Sequence, residues 1–231
     1  MNEGHRALRL AVEIVLCLMI AIVLVGVVQQ MFLAPVGVVG SSMYPTINAE
    51  GDRVFVQKRL YSIDRGDVVV FYRPNSSDVT SENPAGSITL ADFFNSLPFI
   101  NKFPHVKEEN TAADADYTCV IKRVVGLPGD TVTIRADATE PTLAHLYVNG
   151  ALVKESVIMH NKDVCGFGVD ADPLSATWTV AEGELFVLGD NRDHSYDSED
   201  YGPIKSEWLM GKVVVARIGG KYKFDLSISM D

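Results

Sequence analysis

The 231-residue sequence predicts a mainly β protein: a membrane-anchored antiparallel β-sheet domain with a smaller inserted β-rich subdomain, preceded by one transmembrane helix. Residues 14 to 28 are wholly apolar, and extending back to Leu10 gives a run of 19 with Glu13 as its one charge, close to the ~20 that span a bilayer. Beyond residue 34, short β-branched runs recur between Gly, Pro and Asp breakers. Asn149-Gly150 between two such runs is a strong hairpin signal.

Arg6 and Arg9 precede the apolar run, so the positive-inside rule predicts a cytoplasmic tail over 1–9, a span over 10–33 and an extracytoplasmic domain over 34–231. A cleavable signal peptide fits less well, because the run is long and its one plausible small-residue exit, Ala34, is followed by Pro35. Ser42 lies 14 residues past Val28, within roughly 46 Å of the bilayer exit at ~3.3 Å per residue.

Strands are predicted at Val54–Gln57, Val68–Tyr72, Cys119–Val125, Thr131–Arg135, Leu143–Val148, Ala151–Val157, Glu184–Leu188 and, as the last, Lys212–Ile218. Residues 73–118 carry Pro74, Pro84, Pro98, Pro104 and an acidic run and read as an insertion. Within it Thr89–Leu97 fits a short helix, with Thr89 capping and Asp92 three residues on. Phe93, Phe94, Phe99 and Phe103 there either pack on the domain or dip into the lipid interface. About 136–180 forms a variable subdomain, and 189–198 is too polar and turn-rich for a helix or strand.

Lys plus Arg number 20 against 30 Asp plus Glu, a formal net charge of −10, with no basic stripe for nucleic-acid phosphates. There is no CxxC, zinc spacing or phosphate loop, so no metal or cofactor is expected. Cys17 lies in the apolar run; Cys119 and Cys165 either pair, if exported, or stay as separate thiols.

Two adjacent serines before a proline turn, Gly40-Ser41-Ser42-Met43-Tyr44-Pro45-Thr46, offer a nucleophile, but a serine hydroxyl needs a positioned base. His5 is on the wrong side of the membrane, and His105, His145 and His160 fall in loops or the hairpin. His194, in the polar loop, is one candidate. Lys122 is the better one: on a strand it shares its face with Val120 and Val124, where lost hydration disfavours the ammonium form. Shifting a lysine about three units takes about 4 kcal/mol.

Together with Arg65-Gly66-Asp67-Val68-Val69-Val70-Phe71, Lys122-Arg123-Val124-Val125-Gly126-Leu127-Pro128-Gly129-Asp130 and Gly189-Asp190-Asn191-Arg192-Asp193-His194-Ser195-Tyr196-Asp197-Ser198, the serine stretch closely resembles the motif set of bacterial type I signal peptidases. The resemblance spans residues 40 to 198 but not 73–118 or about 136–180. It implies Ser42 as nucleophile and Lys122 as general base, with Ser195 orienting the amine. It also implies that Asp197 and Arg192 brace the loop through charge pairing, that Asp190 and Asp193 are structural, and that His194 is not catalytic. The Ser42 N–H would be one oxyanion donor; position 40 is glycine, leaving a backbone group, Ser41 or water for the second. The implied partners are signal-peptide-bearing preproteins and the lipid bilayer. An extended substrate would pair with strand edges, with Val38, Met43 and Ile121 as candidate walls. The competing expectations are a self-cleaving Ser-Lys peptidase of the repressor type, disfavoured by the anchor, and an inactive membrane-tethered relative acting as an assembly or chaperone module, disfavoured because Ser42, Lys122 and Ser195 are all present.

Overall fold

The computed structural model describes residues 3–47, 51–75, 117–137, 144–154 and 175–230. The Thr89–Leu97 helix, the four phenylalanines between 93 and 103, the acidic run, His105, His160 and Cys165 lie outside these residues. Cys119 carries a free thiol, which burial pushes up to about 12.

Helix α1 runs Glu3–Phe32. It starts earlier than the expected span and stops one residue short of it, because Leu33 opens a strand. From Leu10 to Val25 its apolar side chains stand exposed, and Arg9–Gly26 is long and apolar enough to cross a membrane. A helix apolar all round, with its middle uncovered by the described residues, suits lipid as its solvent.

The strands are β1 (Leu33–Gly37), β2 (Arg53–Gln57), β3 (Val68–Pro74), β4 (Tyr117–Gly126), β5 (Thr131–Ala136), β6 (Ala144–Val148), β7 (Ala151–Leu152), β8 (Ser175–Thr179), β9 (Glu184–Leu188), β10 (Ile204–Lys205), β11 (Leu209–Ile218) and β12 (Lys221–Phe224). A one-turn helix α2 spans Ser198–Tyr201. The large sheet has the order β1-β2-β11-β3-β4-β9-β10 with β12 on β11, and the smaller sheet β7-β6-β5-β8; every pairing is antiparallel.

Strands β1, β8, β10 and β12 were not anticipated. Pro35 is tolerated in β1 because β1 is an edge strand and need not donate on its outer side. The 189–198 stretch, expected to be irregular, contains a 3-10 turn at Arg192–His194 and leads into α2. The β6–β7 hairpin turns at Asn149-Gly150 as expected, with Asn149 at φ 52°. Strands β3 and β4 pair from Val68↔Arg123 to Pro74↔Tyr117, so the insertion leaves and re-enters at one end of a hairpin.

Three apolar clusters hold the domain. One joins β1, β2, β3 and β11 with Met43 and Ile47. A second joins the small sheet to Phe186, Leu188 and Met230. The third, with Val69, Phe71, Val124, Leu185, Val187 and Ile204, lies under α2.

Candidate active site

The serine segment is fixed by its neighbours. Met43 and Ile47 are buried in the first cluster, and backbone bonds Tyr44 N to Ser41 O (3.0 Å) and Ile47 N to Met43 O (2.9 Å) wind the segment into a turn. Ser42 is left only 9% exposed. From the other side Asn191 clamps this turn: its N–H donates to the Ser42 carbonyl at 2.9 Å and its Nδ2 to the Ser41 carbonyl at 3.1 Å.

Lys122 is 3% exposed on β4. It stands opposite Val69, with Val120 opposite Phe71 and Thr118 opposite Arg73, so these side chains share one sheet face. Arg123, the next residue, points to the opposite face. It is fully buried: Nε and Nη2 donate to the two Asp190 oxygens at 2.7 and 2.6 Å. Nη1 donates to the carbonyls of Gly66 (2.6 Å) and Leu226 (2.7 Å). Gly66 is the middle of the Arg65-Gly66-Asp67 motif. A Cβ there would collide with the Ile228 carbonyl, so the glycine lets the C-terminal segment pass close enough to supply the Leu226 acceptor.

The loop after β9 therefore meets β4 on both faces. Asp190 takes Arg123, while Asp197 lies within reach of the Lys122 charge. Ser195 Oγ donates to Asp197 Oδ2 at 2.5 Å. The same carboxylate oxygen accepts from Gly189 N–H at 2.8 Å, and Arg192 Nε donates to the Gly189 carbonyl at 3.0 Å. Asp197 and Arg192 thus hold the two peptide groups of Gly189, and the Lys122 charge acts on Asp197. Burial raises the Asp197 carboxyl above its ordinary value, opposed by the Gly189 N–H, the Ser195 hydroxyl, the Lys122 charge and the Glu199 N–H. Gly189 is the hub: a Cβ here would collide with Ser195 Oγ and lie 2.6 Å from the Ser42 carbonyl oxygen. The Ser42 carbonyl and the Ser195 hydroxyl both pack against the place a side chain would occupy.

Val38, Met43 and Ile121 belong to one apolar cluster, with Met43 and Val38 buried in it and Ile121 half-buried at its margin. His194 is exposed, and His145 pairs with Asp137 at 3.0 Å. Among the described residues no three His, Cys, Asp or Glu side chains are grouped to hold a metal. Sequence reasoning gave no role to Gly189, Asn191 or Arg123. For Arg123 a signal was present: a second basic residue beside Lys122 in a valine-rich strand must point to the opposite face and needs its own buried partner.

Residues 11–217 match the family model described as signal peptidase, peptidase S26. Among individual relatives, signal peptidase I V of Bacillus subtilis (strain 168) is 36% identical over 125 residues, 49% of this chain and 70% of that protein. Signal peptidase I of Mycobacterium tuberculosis (strain ATCC 25618 / H37Rv) is 31% identical over 226 residues, 90% of this chain and 70% of the relative. Signal peptidase I S of Bacillus subtilis (strain 168) is 31% identical over 189 residues, 79% of this chain and 75% of the relative. With nearly its whole length aligned to such proteins, the chain belongs to the signal peptidase family, peptidase S26.

Proposed function

We propose that the chain is a membrane-tethered serine endopeptidase that removes N-terminal signal peptides from exported preproteins, with Ser42 as nucleophile and Lys122 as general base. The observation that supports this best is the convergence on Gly189: the Ser42 carbonyl, the Ser195 hydroxyl and the Asp197 carboxyl that feels the Lys122 charge all meet at one glycine.

In this reading the Ser42 hydroxyl attacks the carbonyl carbon before the cut and its proton passes to the Lys122 amine. The Ser42 N–H receives the negative charge that develops on the carbonyl oxygen. Collapse of the tetrahedral intermediate expels the new N-terminal amine of the mature protein, which takes the proton back from Lys122. Water then attacks the acyl-Ser42 ester with Lys122 again as base. Lys122 is 3% exposed, so water has little access to the amine that both steps use. Ser195 gives its own hydrogen to Asp197, which leaves its oxygen lone pairs as acceptors for an amine N–H of Lys122 and orients the amine lone pair toward Ser42.

The substrate is an extended peptide with small side chains at the first and third positions before the cut. Ile121, the least buried of the three proposed wall residues, makes the contact, and Met43 and Val38 back it from below. Helix α1 is the anchor, with its Arg6 and Arg9 end cytoplasmic and the sheet domain outside.

The test is incubation of the full chain, in detergent or vesicles, with a preprotein bearing an Ala-x-Ala site. Ser42→Ala and Lys122→Ala should each lower kcat at least about a thousandfold. The alkaline-shifted limb of the wild-type pH profile should vanish with Lys122. A limb near the ordinary histidine value of about 6.5 would assign the base elsewhere, and two variants that cut as well as wild type would end the reading.

A further inference from the structure

The face of the β3–β4 hairpin that presents Lys122 also presents Arg73, two cross-strand rows away. The Arg73 guanidinium carbon lies 4.8 Å from the centre of the Tyr196 ring and 5.1 Å from that of Tyr201. The two rings themselves meet edge to face at 5.4 Å. Tyr196 is the residue between Ser195 and Asp197, and Tyr201 N–H donates to the Asp197 carbonyl at 3.1 Å. Segment 195–201 therefore touches the hairpin face at two places: at one end through the group that feels Lys122, at the other through a cation gripped by two tyrosines. Arg73 Nε is buried with no hydrogen-bond partner among the described residues, and the stacking of the guanidinium on the two rings holds it there.

We propose that Arg73 is a positioning residue for the catalytic pair: by holding Tyr196 and Tyr201 it fixes the turn that carries Ser195 and Asp197 against Lys122. This rests on the peptidase reading above. Beyond Ser195 the chain is tied at Asp197 to Gly189 and to the first turn of α2, but Tyr196, which is largely exposed, has the Arg73 contact to hold its ring, and without the clamp Ser195 could rotate away from the amine.

The experiment uses the full chain and the Ala-x-Ala preprotein. Arg73→Ala and Tyr196→Ala should each lower kcat about tenfold at unchanged KM, the size of a partly desolvated cation–π contact. The double substitution should cost no more than either alone, and Tyr196→Phe should recover most of what Tyr196→Ala loses. In a Ser195→Ala background Arg73→Ala should have no further effect. Full additivity of Arg73→Ala with Tyr196→Ala, or an undiminished further loss on top of Ser195→Ala, overturns the inference. A second readout needs no catalysis: amide hydrogen exchange at Gly189 and over 198–201 should rise in Arg73→Ala while exchange over 131–136 and 144–148 stays unchanged. Unchanged exchange at Gly189 overturns the positioning role whether or not the wild-type chain cuts preproteins, and a wild-type chain that fails to cut overturns only the peptidase reading.

Discussion

Replacing Asp190 by Ala removes the carboxylate that takes two of the four hydrogen bonds made by Arg123. Both side chains are 0% exposed, so water cannot take its place, and the guanidinium is left with two backbone carbonyls to balance a full charge. Breaking a buried ion pair from one side costs about 3–5 kcal/mol, a large part of the ~5–15 kcal/mol that holds a typical domain folded. Urea unfolding of the full chain in micelles, followed through Trp178 and Trp208, reads this directly. With a slope of about 2 kcal/mol per molar the midpoint should fall by roughly 2 M. Arg123→Met with Asp190→Leu should recover part of the loss, because no unpaired charge remains. Recovery stays incomplete, since the Gly66 and Leu226 carbonyls then lose their donor. A fall below about 0.5 M for Asp190→Ala, or a double variant less stable than the single, would refute the assignment of this pair as the pin between β4 and the loop.

Two further outcomes follow from the same contacts. Gly189→Ala should lower kcat about a hundredfold, the effect of displacing a reacting group by about 1 Å, because its methyl must push apart Ser195 Oγ and the Ser42 carbonyl; unaltered cleavage would show that the two are not held there. Burial raises the Asp130 carboxyl, but Arg65, the Leu127 N–H and Asn149 outweigh this and hold it below its ordinary 3.8. Its stabilising contribution is therefore complete above that value and is lost as pH falls through the lower folded-state value. Thermal unfolding against pH should show a shallower acid limb in Asp130→Asn than in wild type, and identical limbs would remove Asp130 from the account.

What could be read from residues alone follows from what each element buries. Strand β9 matched its expected bounds, because Leu185-Phe186-Val187-Leu188 is an apolar run bounded by Gly183 and Gly189 and is buried on both faces. Strand β12 gave no such sign: Lys-Tyr-Lys-Phe is exposed at all four positions, so no period-2 pattern marks it, and only pairing with β11 makes it a strand. Strand β1 was hidden by Pro35 and by continuity with the apolar helix; it forms because β2 offers it an edge. At the site, Lys122 was visible because an ammonium among valines contradicts its surroundings. Asn191 and Gly189 were not, since their work depends on contacts across about 150 residues, with Ser41 and Ser42.

Register converts this fold into chemistry. Leu33 pairs with Gln57, Gln57 with Lys212, Lys212 with Val69 and Val69 with Lys122. One row of residues thus runs across the sheet from the end of α1 to Lys122, four strand spacings of ~4.8 Å or roughly 19 Å. A slip of one residue along β4 would exchange the faces of Lys122 and Arg123. Arginine would then stand beside Asp197 and Ser195, and a guanidinium that keeps its proton at every physiological pH cannot accept one from a serine. The same slip would place the lysine against Asp190, where one ammonium cannot reproduce the four bonds the guanidinium makes to Asp190, Gly66 and Leu226. The buried Arg123–Asp190 pair therefore acts as the register lock for β4, keeping Lys122 on the face that meets Asp197.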